Sequence, residues 1–107
     1  MVEKIFRVVL TQPAIEKLKK IHKNYRKRES VELANKIKNG LLTETKTLKR
    51  LPSSKPLLRT KKNVVPPYRY TKKWSFRIIF QVFENEDTVI VNEFLHDKEN
   101  PKKWEDF

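Results

Sequence analysis

The residues of this 107-residue chain best suited to chemistry are cations, and the most unusual of them is an arginine inside an apolar run. Phe76-Arg77-Ile78-Ile79-Phe80 has the composition of a buried strand, yet carries a guanidinium at its second position. That group is a planar fork of donors matched to a phosphate, and it stays charged throughout the physiological range. Upstream lie Arg59, Lys61, Lys62, Arg69, Lys72 and Lys73, interleaved with Tyr70 and Trp74, whose rings can stack on bases. Arg77 has a structural alternative, an ion pair with Glu93 on a neighbouring strand or with another acid, and Trp74 has one as a core or hairpin residue. His96 stands at the end of a predicted strand, and histidine is the side chain that changes charge near neutral pH. A surface or capping role fits it equally, and His22, on a predicted helix, reads as structural.

Other chemistries are excluded by what is missing. There is no cysteine, so no thiolate nucleophile, thiolate metal site or disulfide framework. The two histidines lie far apart, with no His-x-x-x-His spacing or acidic array, which argues against a catalytic metal. A single glycine rules out a glycine-rich phosphate loop, and no cofactor is expected. No run reaches the roughly 18 apolar residues of a membrane helix. The start, MVEKIFRVVL, has neither a basic leader nor a small-residue cleavage site, so a soluble cytoplasmic protein with no membrane partner is expected.

Charge is unevenly divided. Residues 1–44 carry 11 Lys/Arg and 5 Asp/Glu, residues 45–83 carry 11 and 0, and residues 84–107 carry 3 and 8. An acid-free span of that length repels itself unless an anion neutralises it, and the net charge of +12 exceeds what solubility requires. Nucleic acid is the expected partner, since phosphate neutralisation by Lys and Arg supplies much of the affinity in such complexes.

The elements that must position these residues follow from periodicity. At this length one domain is expected, spanning 1–107, with 37% hydrophobic residues and eleven aromatics to build a core. Lys4 to Leu10 alternates as a strand. Thr11 or Gln12 can cap a helix with Pro13 in its first turn and Ile15, Leu18, Ile21 and Tyr25 on one face. Ser30 can cap a second helix that Asn39-Gly40 would end. Leu41, Leu42, Leu48 and Leu51 then fall in a short helical or irregular connection, and the prolines from Pro52 to Pro67 predict an extended loop. Strands are predicted over Tyr68–Thr71, Ser75–Phe83 and Thr88–Leu95, with a hairpin turn at 84–87, and Trp104 and Phe107 can dock a last half-turn on the core. The order β-α-α-β-β-β predicts an α+β fold, an antiparallel twisted sheet with both helices on one face and Arg77 on the other.

The junction LTQPAIEKLKKI and the later YRYTKKWSFRIIFQVFENEDTVIVNEFLHDKENPKKW resemble the RelE/ParE superfamily of toxins from type II toxin–antitoxin operons. The match is most specific at Phe76-Arg77-Ile78-Ile79-Phe80 and at the strand Val89 to His96. The resemblance implies a metal-independent endoribonuclease that cuts mRNA on the ribosome, inhibits translation and is neutralised by a cognate antitoxin. Arg77, His96, Arg59 and Lys61 would be catalytic, with Lys62, Arg69, Lys72, Lys73, Trp74 and Tyr70 binding RNA. Such chemistry needs a proton acceptor for the attacking 2′-hydroxyl, cations for the phosphorane and a proton donor for the leaving oxygen. Many members carry a glycine before the strand arginine and a tyrosine near the C-terminus; here stand Trp74-Ser75 and then Trp104 and Phe107, leaving Tyr68 or Tyr70 to supply a phenol. The resemblance also allows a ParE-like inhibitor of DNA gyrase, and the charge alone allows a non-catalytic RNA- or ribosome-binding module.

Overall fold

The computed structural model describes residues 4–60 and 63–99. Strand β1 (Arg7–Leu10) leads directly into helix α1 (Gln12–Arg28). The Thr11 hydroxyl accepts the Ala14 N–H at 3.2 Å, and Pro13 occupies the first turn, where its missing N–H costs nothing. The same device opens α2 (Val31–Thr47), where the Ser30 hydroxyl accepts the Leu33 N–H at 3.1 Å. His22 Nε2 meets Asn35 Oδ1 at 2.8 Å and ties the two helices together, a structural role.

Helix α2 does not stop at Asn39-Gly40; it runs on to Thr47 and makes Leu41 and Leu48 fully buried core residues. Gly40 serves a different purpose from a cap. A Cβ there would lie 2.0 and 2.5 Å from two ring carbons of Trp74. Trp74 sits in the two-residue turn between β2 (Tyr68–Lys73) and β3 (Phe76–Phe83), with φ 52°, the left-handed conformation that glycine usually supplies there. A bulky residue therefore occupies the turn, and the glycine that accommodates its ring lies on the helix.

The sheet order is β1-β4-β3-β2, where β4 is Thr88–His96. Both β2–β3 and β3–β4 are antiparallel hairpins, whereas β1 pairs with β4 in parallel, so the sheet is mixed rather than antiparallel throughout. No short turn joins β1 to β4, and nothing local dictates their relative direction. The expected α+β class holds, with both helices on one face. Phe76, Ile78, Phe80 and Val82 of β3 meet Leu18 and Ile21 of α1 and Leu41 of α2 in the main core.

The segment expected as an extended loop does more than connect. After a single 3-10 turn at Pro52–Ser54, the Leu58 N–H donates to the Tyr68 carbonyl at 2.8 Å and the Tyr70 N–H donates to the Pro56 carbonyl at 3.1 Å. These bonds cover the edge of β2, which would otherwise present unpaired backbone groups. Leu58 packs with Ile79, Leu95, Tyr68 and Tyr70 in a second apolar cluster, so the face away from the helices is partly roofed. The expected docking of Trp104 and Phe107 lies outside the described residues.

The Gly40–Trp74 contact gives a test by double-mutant cycle. Gly40→Ala should destabilise the protein by about 1 kcal/mol in urea unfolding, because overpacking outweighs the gain in helix propensity. In a Trp74→Ala background the same change should stabilise by about 0.5–1 kcal/mol; equal effects in both backgrounds would contradict the contact.

Candidate functional site

Period-two alternation in β3 sends Phe76, Ile78 and Phe80 to the helices and Arg77 and Ile79 to the opposite face. Arg77 is half-buried there, opposite Lys72 on β2 and Leu95 on β4. Its guanidinium carbon lies 4.8 Å from the centroid of the Tyr70 ring, a cation–π contact that supports the charged head from β2. Lys72 Nζ is 3.8 Å from the Asp97 carboxylate, and both are exposed, so this pair is weak and exchangeable for another anion. Arg59 follows Leu58 on an exposed stretch of the loop that roofs this face. Arg77, Tyr70 and Lys72 thus form one patch, with a guanidinium, a phenol and an ammonium that can hold a phosphate and, through Tyr70, donate a proton.

The other expected site residues lie elsewhere. Arg69 is paired in register with Phe80, and its guanidinium donates to the Lys55 carbonyl at 2.6 Å, clamping the loop to β2. Lys73 places its ammonium 4.6 Å from the Trp74 ring centroid, while the edge of that ring rests on Gly40; Trp74 is a hairpin residue that remains 46% exposed. Lys61 and Lys62 fall outside the described residues.

His96 is on the helix side of the sheet. It lies opposite Phe76 in register, and the two rings meet edge to face with centroids 4.9 Å apart. The Lys98 N–H donates to His96 Nδ1 at 3.0 Å, which assigns the ring proton to Nε2. The ring borders an open groove of about 560 Å³ between β4 and α1, with Ile21 and Tyr25 among its other walls. A bulge produces this placement. Ile79 faces Glu93 but Phe80 faces Val91, so Asn92 is an extra residue in β4. Val89 and Val91 point to the helices before the bulge, and Phe94 and His96 do so after it. Counted by strict alternation from Val91, His96 would share a face with Arg77.

The same irregularity settles the Glu93 alternative. Glu93 is in register with Ile79, accepts the Phe94 N–H at 2.9 Å, and lies 3.9 Å from Lys17 of α1. Lys17 also pairs with Glu99 at 3.0 Å, and Glu99 accepts the His96 N–H at 3.1 Å. This cluster is not legible in the sequence, because Lys17 lies far along the chain from Glu93, His96 and Glu99. Far from both sites, the Ser53 hydroxyl and then the Lys4 ammonium hold the Glu84 carboxyl below its ordinary range. Asp87, with Glu84, raises Lys4 in turn, and the trio ties the chain before β1 to the β3–β4 turn. Among the described residues no group of three His, Cys, Asp or Glu could hold a metal ion, and no helix is long and apolar enough to cross a membrane.

Residues 8–101 match the family model for the ParE toxin of the type II toxin–antitoxin system parDE. No curated protein matches the chain. Among solved structures, a chain of a chromosomal ParDE toxin–antitoxin system from P. aeruginosa superposes with a TM-score of 0.68 at 18% identity, covering 87% of this chain and 97% of that one. A chain of the toxin–antitoxin complex RelBE2 from Mycobacterium tuberculosis superposes with a TM-score of 0.62 at 14% identity, covering 89% and 97%. At such identities the superpositions establish a common fold.

If Tyr70 supports Arg77 as described, a double-mutant cycle of Tyr70→Leu with Arg77→Met should give a coupling of about 0.5–1 kcal/mol in urea unfolding. Strict additivity would contradict the contact.

Proposed function

The chain belongs to the ParE toxin family of type II toxin–antitoxin systems, and on that premise we propose that it arrests growth by binding its target rather than by cutting RNA. The target in this reading is DNA gyrase, as the likeness to ParE implies. One observation carries the proposal: the sheet stands between Arg77 and His96. In-line attack of a 2′-hydroxyl needs a proton acceptor within hydrogen-bond reach of the same phosphate that the cation holds. His96 reaches the helix-side groove, and His22 is engaged with Asn35, so neither serves Arg77. Arg77, Tyr70 and Lys72 form a surface suited to engaging an anionic group on the target.

Residues 1–107 act in this reading as one cytoplasmic toxin domain held in check by a cognate antitoxin. That partner is supported by the two solved systems of the same fold, each described as a toxin with its antitoxin.

The Arg77–Tyr70 contact supports a second reading, ribosome-dependent mRNA cleavage. Here Arg77, with Arg59 and the neighbouring lysines, stabilises the phosphorane, and Tyr70 replaces His96 as the group that moves a proton.

Controlled expression of the wild type, Arg77→Ala and His96→Ala separates the two. Our reading predicts growth arrest with DNA-damage signalling, unchanged message ends on ribosomes, and full toxicity in His96→Ala. New cuts inside codons that disappear in Arg77→Ala would overturn it in favour of the nuclease.

A further inference from the structure

Among the described residues, the densest run of uncompensated positive charge lies on α1. Lys19, Lys20, Lys23, Arg26, Lys27 and Arg28 are all exposed, and among the described residues none of them pairs with a carboxylate. The cations of β2 and β3 are engaged by contrast: Arg69 with a carbonyl, Lys72 with Asp97, and Lys73 and Arg77 with aromatic rings. Six cations within ten residues repel one another and await an external anion.

Their spacing suggests its form. Lys19, Lys23 and Lys27 recur every four residues, which places them on one side of the helix at axial steps of about 6 Å. Lys20, Asn24 and Arg28 make a parallel row along the groove between α1 and β4, with Lys98 on the opposite wall. Two such rows form a charged ridge suited to a line of phosphates. A protein partner would leave another signature, since interface cores favour aromatic residues and are depleted in lysine. None of the exposed large apolar side chains lies on α1. With no aromatic exposed there, α1 also offers no stacking platform for unpaired bases.

We propose that the outward face of α1, from Lys19 to Arg28, binds the phosphate backbone of a nucleic-acid duplex without reading its sequence. This surface lies on the opposite side of the sheet from Arg77. It would concentrate the toxin on nucleic acid while leaving the Arg77 patch available to the target, and it does not depend on whether that target is gyrase or the ribosome.

The test is equilibrium binding of the full-length protein to a 20-base-pair DNA duplex and to one of its single strands, across a salt series. The wild type should bind the duplex more tightly, with affinity falling steeply as salt rises. Combining Lys19→Gln, Lys23→Gln and Lys27→Gln should weaken duplex binding at least tenfold at about 100 mM salt and flatten the log–log salt slope by about 2–3, close to 0.9 per phosphate contact. These exposed substitutions should leave the circular dichroism spectrum unchanged, and Lys20→Gln with Arg28→Gln gives an independent second variant. Arg77→Ala should leave the slope within about one unit of wild type. Wild-type affinity and slope in both helix variants, or loss of binding in Arg77→Ala alone, would overturn the proposal. So would absence of duplex binding alongside saturable binding of a poly-glutamate peptide.

Discussion

The constraint on which the whole arrangement depends is the strict alternation of β3. Phe76, Ile78 and Phe80 are almost wholly withdrawn from solvent against the helices. A slip of one residue would push this set to the other face and bring Arg77 into the apolar core, so the register is held by the burial of these side chains and by the penalty for burying a charge. The burial of its neighbours on the helix side therefore fixes Arg77 on the far face. From that follow its contact with Tyr70, its proximity to Lys72, and the division of the cationic residues between two sides of the sheet.

Most of the framework was legible in the sequence because it is local. Thr11 and Ser30 cap their helices as residue type and position foretell, and the β3–β4 turn falls at 84–87. What escaped is non-local. Gly40 looks like a helix stop until Trp74, thirty-four residues later, is seen to occupy the space a side chain would fill. The parallel pairing of β1 with β4 joins opposite ends of the chain, and the backbone bonds from 56–58 to β2 follow no hydrophobic pattern. The side on which His96 falls turns on a single inserted residue, Asn92, which reverses the parity of the strand after it. Val89 to Leu95 reads apolar on both parities, so the pattern alone leaves the bulge invisible.

Charge shows the same distinction between chain and surface. Residues 45–83 have no acidic member, which draws attention to the loop and the hairpin. In the folded protein Lys72 finds Asp97 from the acidic C-terminal segment, Arg69 turns to a carbonyl, and the β2–β3 hairpin places Lys73 and Arg77 against rings. Helix α1 contains an acid, Glu16, but its geometry separates the apolar stripe of Ala14, Leu18 and Ile21 from the cations between Lys19 and Arg28, which among the described residues meet no carboxylate. A sequence window counts charges, whereas a partner meets only those the fold has not already neutralised.

Purified components distinguish a gyrase poison from a nuclease. The protein is added in parallel to DNA gyrase with supercoiled plasmid and to ribosomes programmed with a defined message, and both nucleic acids are analysed for breaks. Separation of Arg77 from His96 by the sheet predicts an intact message, and the proposed gyrase reading predicts broken plasmid trapped on the enzyme. A message cut at the ribosomal decoding site, with gyrase unaffected, would contradict it.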